Sequence, residues 1–244
     1  MEQWRSYRSS VDFAPLSGLP VVHYSRFSTK AAEVPFSVFK ELFHLLVRKM
    51  QLGSSPEANF PKELLLIDST TMTVGKTRLP WAHYHGERAG IKLNVALRAE
   101  DGQPLQVVET LGSKHDGPMS EALAQPDYIV VMDRAYGKLE RLDEFKIQGQ
   151  SFVIRLRDNV HLEKPHALSR LKEADSSVIR DITCQLGTPQ CRSKQRHRVV
   201  MFRDFEGREI RVVTDLMQVT ADKSHRCIRL DGRLKSFSDG SSNI

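Results

Sequence analysis

The chain has 244 residues, 40% of them hydrophobic, which is enough for one sizeable core and too apolar for a disordered chain. A net charge of +6 favours an anionic partner. No apolar run approaches the roughly 18 residues of a membrane span, and the first residues lack the apolar centre of a signal peptide, so a soluble cytoplasmic protein with no membrane partner is expected.

Residues 1–33 show no convincing period and read as an irregular leader. From Pro35 the pattern changes, and residues 34–60 read as an amphipathic helix and a linker. Phe36, Phe39, Leu42, Phe43, Leu46, Val47 and Met50 recur at helical spacing, with Pro35 suited to a first turn. Lys40, His44 and Arg48 share the other face, a pattern that fits a solvated face or a DNA-facing stripe. Gly53-Ser54-Ser55-Pro56 then breaks the chain.

Two short apolar runs each end in an aspartate: Leu64-Leu65-Leu66-Ile67-Asp68 and Tyr128-Ile129-Val130-Val131-Met132-Asp133. Such runs read as strands buried on both faces. A carboxylate at the exit of such a strand lies at the sheet edge, where α/β folds bind ligands. Either aspartate alone also fits an ordinary turn or helix cap. If the two strands are parallel neighbours, about 4.8 Å apart, their carboxylates can share one divalent cation.

Between the runs, Ile91 to Leu97 alternates as a half-buried strand, Asp101-Gly102 signals a turn, and Leu105 to Val108 forms the return arm of a hairpin. A short helix is expected from Pro118 to Ala124, a second around Leu139, Leu142 and Phe145, and a strand from Phe152 to Arg157. Three strands followed by two αβ units, over residues 61–158, is the chain order of a ribonuclease-H-like α/β mixed sheet, in which the first and fourth strands lie side by side in parallel. Residues 159–216 read as a β-rich insertion, with strands at 177–186, 198–205 and 209–216 and a turn at Asp204 to Gly207. It carries the run Arg192-Ser193-Lys194-Gln195-Arg196-His197-Arg198, either a solvated hairpin end or a phosphate-contacting patch.

Three cysteines, Cys184, Cys191 and Cys227, cannot close a disulfide framework, as suits a reducing compartment. Cys184, Cys191 and His197 could supply three zinc ligands, but their spacing fits no common template. His83, His85, His115 and Asp116 offer a further metal-hydrolase reading with no full ligand set.

Ile67-Asp68-Ser69-Thr70-Thr71, Gly90-Ile91-Lys92-Leu93, Lys114-His115-Asp116 and Val131-Met132-Asp133-Arg134-Ala135-Tyr136-Gly137, in this order, resemble the catalytic core of bacterial insertion-sequence DDE transposases. The resemblance spans about residues 20–223 and is narrower to the insertion-sequence-four branch, which carries a β insertion between its second and third acids. It implies Asp68 and Asp133 as the first two catalytic acids and as ligands of Mg2+ or Mn2+. It implies cleavage and strand transfer at the terminal inverted repeats of double-stranded DNA by a homo-oligomer associated with the bacterial nucleoid. Lys92, Arg134, Arg192, Lys194, Arg196 and Arg198 are the expected DNA contacts.

Two departures from the family pattern stand out. Asn94 occupies a position where the family commonly has histidine. The third acid, expected on a helix in a Tyr-x2-Arg-x3-Glu-x6-Lys pattern after the insertion, has no counterpart: no glutamate follows Glu209, and only Asp222 or Asp231 could substitute. Residues 217–244 therefore read as an aberrant tail of a truncated or frameshifted copy. The expected consequence is an impaired enzyme or, alternatively, a non-catalytic regulator that binds DNA or inhibits the full-length transposase.

Overall fold

The computed structural model describes residues 11, 15, 18, 20–50, 60–77, 79–168, 176–204 and 206–224. The chain divides into two compact units, residues 1–49 and 50–244. The first holds helices α1 (Tyr24–Glu33) and α2 (Phe36–Met50). Helix α1 corrects the reading of residues 1–33 as irregular throughout. The imidazole of its N-cap residue His23 accepts the Ser25 amide at 3.4 Å, and Lys30 pairs with Glu33 one turn apart. Few of its residues are apolar, so an apolar period carried little signal there. Helix α2 follows Pro35 as expected, but Phe39, Leu42, Phe43 and Leu46 of its apolar stripe are exposed.

The second unit is built on one ten-stranded sheet. Its strands are β1 (Glu63–Gly75), β2 (His83–His85), β3 (Arg88–Arg98), β4 (Pro104–Leu111), β5 (Tyr128–Met132), β6 (Phe152–Arg155), β7 (Leu162–Ala167), β8 (Val178–Thr188), β9 (Cys191–Arg203) and β10 (Glu209–Thr214). The order is β2-β3-β1-β5-β6-β10-β9-β8-β7, with β4 also paired to β3. Within it, β4-β3-β1-β5-β6 is the ribonuclease-H-like core, with β1 antiparallel to β3 and parallel to β5. Helices α3 (Asp116–Leu123) and α4 (Leu139–Gln148) make the crossovers. The β-rich insertion is not a separate layer. Strand β10 pairs antiparallel with β6, so the insertion continues the core sheet from its far edge.

Alternation along the strands gives the sheet two apolar faces. Leu65, Ile67, Val130, Met132, Phe152 and Ile154 face α3 and α4, where they pack with Leu123, Leu142 and Phe145. Leu64, Leu66, Ile129, Val131 and Val153 form the other face, with Leu216, Val219 and Ala221. This second face takes in part of the segment expected to be an aberrant tail. Thr220 Oγ1 accepts the Lys223 amide at 3.3 Å, as an N-cap does, and residues 221–224 make one helical turn. Residues 225–244, with Cys227 and Asp231, lie outside the described residues.

Candidate metal centre

Strands β1 and β5 run parallel in the register Leu64↔Ile129, Leu65↔Val130, Leu66↔Val131 and Ile67↔Met132. The next residue on each strand is an aspartate, Asp68 on β1 and Asp133 after β5. Because Leu64 and Leu66 share a face with Ile129 and Val131, the alternation carries Asp68 and Asp133 onto that same face. Asp133 keeps an extended backbone, φ −78° and ψ 172°, before the 3-10 turn at Arg134–Tyr136 begins. Both carboxylates are half-buried.

Asp68 is not the end of its strand, contrary to what the apolar run suggested. Strand β1 does not end there but continues to Gly75, paired with β3 throughout. What ends at Ile67 is the pairing with β5. Asp68 therefore sits where the sheet opens between β1 and β5, held by β3 on its other side.

On the opposite face lies a second polar group. Asp116, at the start of α3, accepts Ser69 Oγ at 3.0 Å and Lys92 Nζ at 2.8 Å, and Lys92 Nζ also donates to the Lys114 carbonyl at 2.8 Å. Asn94, on this face too, donates to the Val108 carbonyl and Thr110 Oγ1 of β4. Arg141 of α4 donates from Nη1 to the Tyr136 carbonyl and from Nε to Glu121. None of these roles was visible in the sequence. Arg141 and Asp143 flank the apolar face formed by Leu139, Leu142 and Phe145, a position that in sequence reads as a solvated helix edge.

The expected DNA contacts separate sharply. Arg134 and Lys194 are exposed. Arg192 is half-buried and pairs with Glu163, while the half-buried Arg196 donates to the Lys164 and Thr183 carbonyls. Arg198 is a correction. At 1% exposure it forms a bidentate pair with Asp181 and donates to the Leu216 and Val219 carbonyls, so no phosphate reaches it. Lys92, at 8% exposure, is corrected for the same reason: its ammonium is committed to Asp116 and Lys114. The basic run starts at the turn end of the β8–β9 hairpin and continues along β9, but it is not a continuous patch, since it alternates with buried Ser193 and His197.

His197 is held by Asp143, which accepts Nε2 at 3.0 Å and the Lys194 and Gln195 amides. Burial pushes this imidazole below its ordinary value, against the pull of Asp143. The other metal readings do not gather. Cys184 is buried, with its thiol pushed up to about 11 by desolvation, whereas Cys191 is exposed. His83, His85 and His115 are exposed, and Asp116 is engaged with Lys92. Among the described residues no three His, Cys, Asp or Glu side chains form a metal-binding group.

The transposase DDE domain family matches residues 59–230, which include Asp68 and Asp133, the sheet that aligns them and the strands of the insertion. The chain belongs to the transposase DDE domain family. The match continues seven residues past Lys223, where the resemblance read from the sequence stopped. The chain is also 54% identical over 222 residues to a probable transposase for insertion sequence element IS5377 from Geobacillus stearothermophilus. That alignment covers 91% of this chain and 59% of the relative's length. In this DDE domain the donor set suits a hard divalent cation. Two carboxylates stand on one face beside parallel strands, with no thiolate or imidazole among them.

Proposed function

We propose that the chain is the catalytic domain of an insertion-sequence transposase, which binds the terminal inverted repeats of double-stranded DNA and holds Mg2+ or Mn2+ between Asp68 and Asp133. The observation that carries this reading is the parallel register of β1 and β5, which ends at Ile67 and Met132 and leaves the two acids adjacent on one face. When bound there, the ion supplies Lewis-acid activation of the water or 3′ hydroxyl that attacks a phosphodiester. Asp68 and Asp133 hold it. Arg134, exposed beside Asp133, and Lys194, exposed on β9, contact the DNA backbone.

A third acidic ligand completes the family's cage, and none joins the pair among the described residues. With two carboxylates alone, metal binding would be weak and strand cleavage slow. The same observation favours a second reading, a non-catalytic chain that occupies transposon ends or joins full-length subunits and inhibits them. A transposition assay with intact enzyme separates the two: addition of this chain lowers transposition if it is an inhibitor and leaves it unchanged if it is not.

DNA binding is tested by fluorescence anisotropy with an inverted-repeat duplex across a salt series. Arg134→Ala and Lys194→Ala should each weaken binding and reduce the salt slope by about one. Unchanged affinity and slope in both variants would reject these contacts. Metal-dependent nicking of the duplex that Asp68→Ala abolishes would establish catalysis by this chain and reject the impaired reading.

A further inference from the structure

We infer that Asp116 and Arg141 are positioning residues that fix the separation of Asp68 and Asp133 from the opposite face of the sheet. This rests on the reading of the two aspartates as a metal pair.

Ser69 adjoins Asp68 on β1, and its hydroxyl points to the other face, where it donates to Asp116 Oδ1 at 3.0 Å. Lys92 Nζ donates to the same oxygen at 2.8 Å and, through the Lys114 carbonyl, also holds the loop that leads into α3. Asp116 therefore ties β1 to β3 at the residue next to Asp68. Its carboxylate also occupies the first turn of α3, where the helix dipole favours negative charge.

Arg141 ties the second acid to the same helix. Arg141 is 4% exposed, and its guanidinium bridges Glu121 of α3, at 2.8 Å, to the Tyr136 carbonyl, at 2.7 Å. The Tyr136 amide in turn donates to the Asp133 carbonyl at 3.0 Å, closing the turn that follows the acid. Gly117 makes room for this bridge: a Cβ there would stand 2.3 Å from Arg141 Nη2. One helix is thus bonded through Asp116 to the residue after Asp68 and through Arg141 to the turn after Asp133.

Without this brace, the separation of the two carboxylates depends on parallel pairing that stops one residue short of them. Partners hydrogen-bonded directly to metal ligands typically change metal affinity by about ten- to hundred-fold, and this brace acts one step further out, through Ser69 and the turn at Tyr136. Neither Asp116 nor Arg141 needs to touch the ion, since their hydrogen bonds lie on the other face.

The test is Mn2+ affinity, measured by electron paramagnetic resonance titration of the full chain, with thermal melts and amide spectra on the same samples. Asp116→Ala and Arg141→Met should weaken Mn2+ binding about tenfold or more at temperatures where both are folded, and Asp116→Asn, which keeps an acceptor oxygen, should restore most of it. If either Ala or Met variant does not fold, Ser69→Ala decides, because it removes one hydroxyl and is expected to weaken binding several-fold. Wild-type Mn2+ affinity in folded Asp116→Ala and Arg141→Met, or in Ser69→Ala, would overturn the brace while leaving the metal pair standing. Mn2+ binding that survives Asp68→Ala and Asp133→Ala would overturn the metal pair, and the brace with it.

Discussion

Ile67 and Met132 are the last register partners of the parallel strands β1 and β5, and each is followed directly by an aspartate on the same face of the sheet. Two negative charges are thereby brought together where the sheet opens, beside a core buried on both sides. The proposed divalent cation would be held there, between the two carboxylates.

The Arg198–Asp181 pair is a structural counterpart to that site. Arg198 fastens the insertion to the segment that covers the second face, through the Leu216 and Val219 carbonyls. Arg198→Ala leaves Asp181 buried without its guanidinium and is expected to destabilise the fold by about 3–5 kcal/mol. Urea denaturation measures it, and a loss below about 1 kcal/mol would contradict the structural role.

These assignments separate what was legible in the sequence from what was not. The apolar runs ending at Asp68 and Asp133, the hairpin around Asp101-Gly102 and the order of the five core strands and their two helices follow from local periodicity, and the ribonuclease-H-like core was readable from them, whereas the short strands β2 and β7 were not. Lys92 and Arg198 were not. Both look like solvated cations in sequence, and only long-range partners, Asp116 and Asp181, explain their burial. Nor does a local pattern reveal that β10 returns to pair with β6, because that contact joins residues more than fifty positions apart.

His197 gives the stability a pH dependence. Its imidazole titrates below the ordinary value of about 6.5 in the folded chain, chiefly because burial disfavours the charged form. The unfolded chain therefore binds the proton first, and stability should fall as pH drops below about 6.5, with no contribution from this group at higher pH. Thermal melts between pH 5 and pH 8 should show a shallower acid-side loss in His197→Gln than in wild type. An identical slope would mean that His197 is not the group responsible.

The β8–β9 hairpin depends on Gly187, whose φ of +96° lies where side chains are strained and whose added Cβ would stand 2.0 Å from the Cys191 carbonyl. Gly187→Ala should destabilise the fold by at least about 1–2 kcal/mol. Gly102, also at positive φ but with open space around it, should tolerate alanine better. Equal losses at the two positions, measured by denaturant unfolding, would show that the clash with Cys191 is relieved at no cost.

The most direct test of the metal pair is a calorimetric Mn2+ titration of wild type, Asp68→Asn, Asp133→Asn and the double variant. One shared ion predicts that each single substitution weakens binding by about tenfold or more and that the double variant loses little beyond either single one, because the two carboxylates act as a unit. Wild-type affinity in either single variant, or losses that simply add, would contradict a cation held jointly by Asp68 and Asp133.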